Sequence, residues 1–316
     1  MTLTANGATH HLPMILDEVE VRAVRRVSPT WVRVELGSPA LAEFGVDGPL
    51  YDQRIKLVFP NDHGRLPSFA GADESWFAAW LDLPAAERGH MRTYTVRDVV
   101  GSAADTRLVV DLVLHAGASG PGSDWASRAA VGDGLVVIAP RMGQPFGGIE
   151  FDPAGAGTVM LAGDETAVPA ICAILEQLPN DARGAAFLEV PVSGDVLSVR
   201  SPAGVEVVWL PRNGLPLGGG LRAAMSSYLG VGEPVAGDAT EVDPDLWETP
   251  TYSSSGEAVS TGTVSVGHDL DDAYAWIAGE AGVVTGLRRM LVKELGMDRR
   301  QVAFMGYWRR GVAMRS

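Results

Sequence analysis

The six residues Arg92-Thr93-Tyr94-Thr95-Val96-Arg97 put two cations, a phenol and two small hydroxyls on one short run of strand-forming composition. Side chains alternate along an extended chain, so Arg92, Tyr94 and Val96 share one face while Thr93, Thr95 and Arg97 share the other. A guanidinium pairs a phosphate bidentately, a tyrosine ring lies against a flat heterocycle, and the neighbouring hydroxyl and backbone reach its polar atoms. That is the chemistry for holding a flavin, with Arg92 on a phosphate and Tyr94 and Thr95 at the ring. An amphipathic edge strand offers the same pattern, so the hexapeptide needs company.

The company comes about twenty residues on. Asp111-Leu112-Val113-Leu114-His115 is an apolar strand that enters the glycine-rich turn Gly117 to Gly122, and a helix is expected to begin near Ser123. Free backbone N–H groups at such a helix start attract phosphate. Gly120, Pro121 and Gly122 let the backbone approach a pyrophosphate closely. Ser123 either caps the helix or donates to the phosphate, and Trp125 either covers a ring or packs. His115 stands at the cofactor turn, or is a buried histidine satisfied by backbone.

These segments need a frame. Residues 19–24 and 31–36 alternate apolar and polar around Ser28-Pro29, which reads as paired strands, and 53–59, 92–97, 107–114 and 134–139 add more. Six strands with few helices between them predict a small antiparallel barrel over residues 1–152. Past Pro153 the texture becomes strand, helix, strand at 158–162, 168–177 and 185–190, with strands at 205–210 and 302–305 and a helix over 282–295. That predicts a parallel-sheet α/β domain over 153–316. The fold class is thus two-domain, β followed by α/β. No Lys or Arg occurs between Arg222 and Arg288 while eleven acids fall from Glu233 to Glu280, so an acidic insertion is expected at about 223–265.

Composition narrows the chemistry. The net charge of −14 argues against nucleic acid or an anionic membrane as partner, since phosphate binding needs clustered positive charge. Cys172 is the only cysteine, which excludes an intramolecular disulfide, a thiolate-ligated iron–sulfur cluster and a Cys-rich zinc site. Electron transfer therefore calls for a bound cofactor. Residues 1–12 show no basic stretch leading into a long apolar one, and a cytoplasmic location is expected.

In wording and order the two segments resemble the siderophore-interacting protein family, flavin-dependent ferric-siderophore reductases of the ferredoxin-reductase-like superfamily. The family pattern is Arg-x-Tyr-Thr/Ser-x-Arg, then a strand ending in His and Gly-Pro-x-Ser-x-Trp-Ala. Leu161-Ala162-Gly163-Asp164-Glu165-Thr166-Ala167 looks like its pyridine-nucleotide element, and Ala278-Gly279-Glu280-Ala281 with Gly306-Tyr307-Trp308-Arg309-Arg310-Gly311 looks like its C-terminal signature. The resemblance implies FAD, NADH or NADPH as donor, ferredoxin as a possible substitute, and a ferric siderophore as substrate. It implies a cofactor-facing set of Arg92, Tyr94, Thr95, Arg97, Asp111, His115, Gly120 to Ser123 and Trp125, joined by Asp164, Glu165, Thr166 and Glu280. Two acids follow Gly163 where a dinucleotide fold carries glycines. Acids repel phosphate, so this loop is expected at the nicotinamide or ribose, with Thr166 alternatively capping the next helix. Glu189 closes the second strand, where an acid binds the ribose hydroxyls of NADH. Lys56, in an apolar strand, stands where the family has a basic residue facing the siderophore pocket, unless it merely snorkels from an edge strand. Arg309 and Arg310, beside Tyr307-Trp308, are further substrate candidates.

Overall fold

In the computed structural model the protein is described over residues 12–115, 120–231, 247–249, 252–253 and 270–312. Two sheets carry the chain. The first joins β1 (Met14–Arg26), β2 (Trp31–Gly37), β3 (Arg54–Phe59), β4 (His90–Thr95), β5 (Asp98–Val100), β6 (Arg107–Val113) and β7 (Gly134–Pro140) in the order β4-β3-β7-β1-β2-β6-β5, with every pairing antiparallel. A seven-residue helix, α1 (Trp76–Asp82), interrupts the β3–β4 connection.

Seven strands stand where six were expected, because the strand around 92–97 ends at Thr95 and a short further strand, β5, follows it. The Val96 N–H donates to the Gln53 carbonyl and the next N–H, of Arg97, donates to the Val109 carbonyl. The chain leaves β3 and joins β6 within one residue, and that switch curls the sheet into a barrel. Its inside is filled by alternate residues: Ile55, Leu57 and Phe59 from β3, Val34 and Leu36 from β2, and Leu108, Val110 and Leu112 from β6. Each such side chain, fully buried, contributes about 1.5–3 kcal/mol against its exposed state.

The helix after β6, α2 (Pro121–Ala126), begins two residues before the expected Ser123, with Gly120 as its N-cap and Pro121 in its first turn. Proline fits there because its missing N–H has no intrahelical partner anyway.

The second sheet takes β8 (Thr158–Gly163), β9 (Arg183–Val190), β10 (Gly204–Pro211), β11 (Trp247–Thr249), β12 (Tyr252–Ser253), β13 (Ala273–Glu280) and β14 (Val302–Trp308) in the order β10-β9-β8-β13-β14-β11-β12. The first five are parallel, and β11 and β12 add an antiparallel edge. Strand β13, at the centre, was not anticipated; its entirely apolar run Ala273 to Ala278 is the signature of a strand buried on both faces, where alternation disappears.

Helix α3 (Val168–Gln177) packs on the face that turns to the barrel, with Trp31 of β2 in the same core. Helices α4 (Gly219–Leu229) and α5 (Ala281–Arg288) cover the opposite face, and after Arg288 the chain continues as a π-helical turn over Arg289–Glu294. The acidic stretch placed at about 223–265 begins inside α4, and most of the rest lies outside the described residues. Among the described residues no helix is long and apolar enough to cross a membrane.

Buried polar groups stitch the two halves together. Asp195, fully buried, accepts from the Ser28 hydroxyl, the Thr30 N–H and the Thr30 hydroxyl of the barrel at 2.6–2.9 Å. Asp52, equally buried, accepts from the Trp276 indole at 3.0 Å and from the backbone N–H groups of Glu150 and Phe151. Burial raises the Asp52 carboxyl above its ordinary range.

Candidate functional site

The β3–β4 ladder fixes which side chains share a face. Tyr94 stands opposite Ile55, Arg92 opposite Leu57, and Thr93 opposite Lys56. Arg92 and Tyr94 are thus on the barrel-core side of the strand, while Lys56 and Thr93 are on its other side. The Lys56 ammonium donates to the Thr93 hydroxyl at 2.7 Å, and burial of its stem, with Arg54 nearby, draws its pKa below the usual lysine value. A lysine so poised carries a positive charge on an otherwise apolar strand.

Tyr94 locks this strand to the glycine turn. A Cβ on Gly122 would lie 2.0 Å from the Tyr94 hydroxyl oxygen, so only glycine fits beneath the phenol. Phe59 meets both Tyr94 and Trp125 edge to face, at 5.8 and 5.5 Å between centroids. Burial raises the Tyr94 phenol, which stays a donor at any working pH. Arg92 is half-buried, donates to the Met91 carbonyl at 2.7 Å, and burial lowers its pKa from the ordinary arginine value. Gly120 and Pro121 border a cleft of about 600 Å³ whose walls include Asn61, His90 and Arg128, and the turn itself is open at Gly120. A phosphorylated, flat-ringed ligand fits this set: a cation on the strand, a backbone turn with no Cβ in the way, and a phenol beside both.

Several sequence expectations change here. Ser123 does not cap α2; its hydroxyl accepts the His115 N–H at 3.1 Å and so ties the turn to the end of β6. Trp125 is 4% exposed and packs in the barrel core, with part of its ring at the cleft beside Gly120 and Pro121. Arg97 grips Glu176 of α3 bidentately at 2.8 and 2.9 Å, and Asp111 grips Arg33 at 2.6 and 2.7 Å. Both belong to the seam between the halves, where Arg97 stands on the face of its strand away from Arg92 and Tyr94. Thr95 is buried, 7% exposed.

Across from the turn stands the carboxyl edge of the parallel sheet. His115 and Trp308, at the end of β14, approach with ring centroids 6.0 Å apart, and burial lowers the His115 pKa, favouring neutral imidazole. The Trp308 indole donates to Asp164 at 2.8 Å, and Asp164 also accepts the Glu280 N–H at 2.7 Å and the N–H and hydroxyl of Thr166 at 2.9 and 2.5 Å. Thr166 therefore serves Asp164 and caps no helix through its side chain. Gly279, at φ +144°, is glycine because a Cβ there would strike the Asp164 carboxylate. Burial, and then the charge of Glu165, push Asp164 up to about 6.

Glu165 and Glu189 are held by one guanidinium the sequence reading passed over. Arg212, just past β10, bonds Glu165 at 2.7 and 3.1 Å and Glu189 at 3.4 Å, and Glu189 also accepts the Gly218 N–H at 2.8 Å. Glu189 is 1% exposed, so it presents no carboxylate to a ribose from the surface. The turn signal Asn213-Gly214 after an apolar strand marks the Arg212 position but not its partners. Glu280 caps α5 by accepting the Val283 N–H, and its other oxygen accepts the Arg310 N–H. Arg310 with Glu280 borders a second cleft, about 830 Å³, between α4 and α5. Arg309 stands half-exposed beside it in sequence.

A β-barrel joined to a parallel sheet is a two-domain fold that this chain shares with the ferredoxin reductase of carbazole 1,9a-dioxygenase and with phthalate dioxygenase reductase. The barrel matches the siderophore-interacting FAD-binding domain over residues 20–144 and the second half matches the siderophore-interacting protein model over residues 156–311. The chain belongs to the siderophore-interacting protein family. It is 37% identical over 301 residues to an uncharacterized protein of Mycobacterium tuberculosis, covering 94% of this chain and 91% of that one. It is 28% identical to the ferric vibriobactin reductase of Vibrio cholerae, over 97% of this chain and 93% of that one. Among solved structures it superposes on a siderophore utilization protein from T. fusca with TM-score 0.65 and 30% identity, covering 96% and 95% of the two chains.

Proposed function

We propose that this protein reduces Fe(III) held in a siderophore, using FAD and electrons from NADPH or NADH, and so releases Fe(II) in the cytosol. The observation that carries the reading is the fit between Tyr94 and Gly122, which fastens the Arg92 strand to the start of α2, where Ser123 bonds His115 and His115 in turn meets Trp308. In this reading residues 1–152 hold the flavin, residues 153–316 hold the nicotinamide, and the acidic stretch at about 223–265 is an insertion in the latter.

A flavin held there would supply the redox chemistry that links a two-electron nicotinamide donor to one-electron reduction of ferric iron. The chain supplies position and charge. Arg92 takes a phosphate, the turn from Gly120 to Ser123 takes the pyrophosphate through its backbone, and Tyr94 and Thr95 meet the ring. Asp164, Thr166 and Glu280 shape the donor side. Lys56, on the opposite face of the ladder, and Arg309 receive an anionic ferric siderophore on a protein whose overall charge would repel one. Iron stays with the siderophore until it is reduced, because Fe(II) is the weaker partner of hard oxygen ligands.

The test is anaerobic. Purified protein should be yellow, NADPH or NADH should bleach it, and a ferric siderophore should restore the colour while a ferrous chelator develops its own. Rates with ferric siderophores no better than with ferricyanide, and unmoved by Lys56→Ala, would instead mark a flavin reductase for ferredoxin or a quinone. Colourless protein that FAD cannot reconstitute would mark a siderophore carrier without electron transfer.

A further inference from the structure

The cleft of about 830 Å³ between α4 and α5 lies outside the flavin site and is large enough for a nucleotide. It runs along the groove between the two helices, and one end, at Gly218, Gly219 and Glu280, reaches the carboxyl edge of the sheet, where α/β folds of this type take their ligands. Its walls come close without side chains at Gly218, Gly219, Gly282 and Gly286, and two guanidiniums, Arg222 and Arg310, border it together with Ser226 and Ser227.

The positive charge there belongs to the side chains, not to the helix. The N–H of Gly218, ahead of α4, is taken by the Glu189 carboxylate at 2.8 Å, so the helix start already has its anion. Arg222, by contrast, reaches the Gly286 carbonyl and the Glu294 carboxylate only at 3.5 Å each, the outer limit of such contacts. A phosphate oxygen at 2.7–2.9 Å is the better partner. The acid that lines the cleft, Glu280, has both oxygens occupied by backbone donors, from Val283 and Arg310, and is thereby screened from a ligand.

We infer that this cleft binds the adenosine end of the nicotinamide donor and that Arg222 and Arg310 read its 2′-phosphate, making NADPH the preferred reductant over NADH. The inference rests on the nicotinamide reading above and adds the residues that choose between the two coenzymes. It also moves Arg310 from the siderophore to the donor.

Calorimetric titration of the FAD-loaded full chain with adenosine 2′,5′-bisphosphate and with 5′-AMP decides it. The bisphosphate should bind at least ~10-fold more tightly, the gain of one charge-assisted phosphate contact. Arg222→Gln and Arg310→Gln should each erase most of that gain while leaving 5′-AMP binding alone, and should lower the NADPH to NADH ratio of kcat/KM by a similar factor. Equal binding of the two nucleotides, or a preference untouched by both substitutions, overturns the inference. Failure of either coenzyme to bleach the flavin would sink the nicotinamide reading itself, and the nucleotide titration, which needs no turnover, would still report on the cleft.

Discussion

The junction between the two halves has two sides built from the same residue types, and they behave oppositely. On the side of α3, charged groups are fully engaged by firm partners: Arg33 by Asp111, Arg97 by Glu176, and Asp195 by the donors of Ser28 and Thr30. On the side of the glycine turn, side chains meet backbone and ring neighbours: Arg92 donates to the Met91 carbonyl, the Ser123 hydroxyl accepts the His115 N–H, and His115 stands 6.0 Å from Trp308. Fully paired buried charges hold a fixed geometry. Rigidity on the first side keeps the Arg92–Tyr94 strand and the sheet edge in register on the second.

Breaking the saturated side should cost stability before function. Asp195→Ala would strand the Ser28 hydroxyl, both Thr30 donors and the Val192 N–H, and should lower unfolding free energy by on the order of 3 kcal/mol in urea titrations. Arg97 and Arg92, five residues apart in one motif, give a sharper contrast. Arg97→Ala should lower stability by about 2 kcal/mol and leave the Kd for FAD within a few-fold. Arg92→Ala should leave stability within about 1 kcal/mol and raise the FAD Kd ~10- to 100-fold. If the two substitutions traded these effects, the division of the junction into a structural and a ligand-binding side would be wrong.

A smaller effect tests the fastening between strand and turn. Gly122→Ala drives a methyl into the Tyr94 hydroxyl and should cost about 1–2 kcal/mol, together with part of the FAD affinity. Combining it with Tyr94→Phe removes the oxygen that lies 2.0 Å from the new Cβ, leaving the nearest ring carbon at 3.3 Å, so the double variant should recover most of the stability. Additive losses would mean that the phenol and the glycine are not in register.

Why the sequence could reveal one side and not the other follows from these residues. The barrel strands show through alternation, and the Arg92–Tyr94 pair shows through a short spacing on one strand. Arg97 belongs to the same written motif, yet it stands on the other face of its strand and meets α3, and the switch between sheet neighbours at Val96 leaves no trace in composition. Asp111 is 78 positions from Arg33 and Glu176 is 79 from Arg97, so no local pattern pairs them. Strand β13 escaped because a strand covered on both faces loses its period of two. Helix α4 escaped because it opens on Gly219-Gly220, weak helix formers that a cleft wall requires. Thr166 and Ser123 show the limit of capping rules: each sits at a helix start, and each uses its hydroxyl elsewhere.

The subtlest consequence lies at Asp164, where the two sides meet. Its carboxyl titrates near 6 in the folded protein against an ordinary 3.8, raised by burial and then by the Glu165 charge, and opposed by the hydrogen bonds from Thr166 and Trp308. Between those values the folded chain keeps a proton that the unfolded chain has lost, so stability must fall as pH climbs from about 4 to about 6 and level off above. Relaxation around the site limits the change to on the order of 1 kcal/mol. Asp164→Asn keeps an acceptor for the Trp308 indole but has nothing to titrate. Its denaturation midpoint should lose that part of the slope, and any fluorescence step of Trp308 near pH 6 should vanish with it. An unchanged slope would place the titration elsewhere and leave Asp164 as a fixed strut of the sheet edge, as saturated as Asp195.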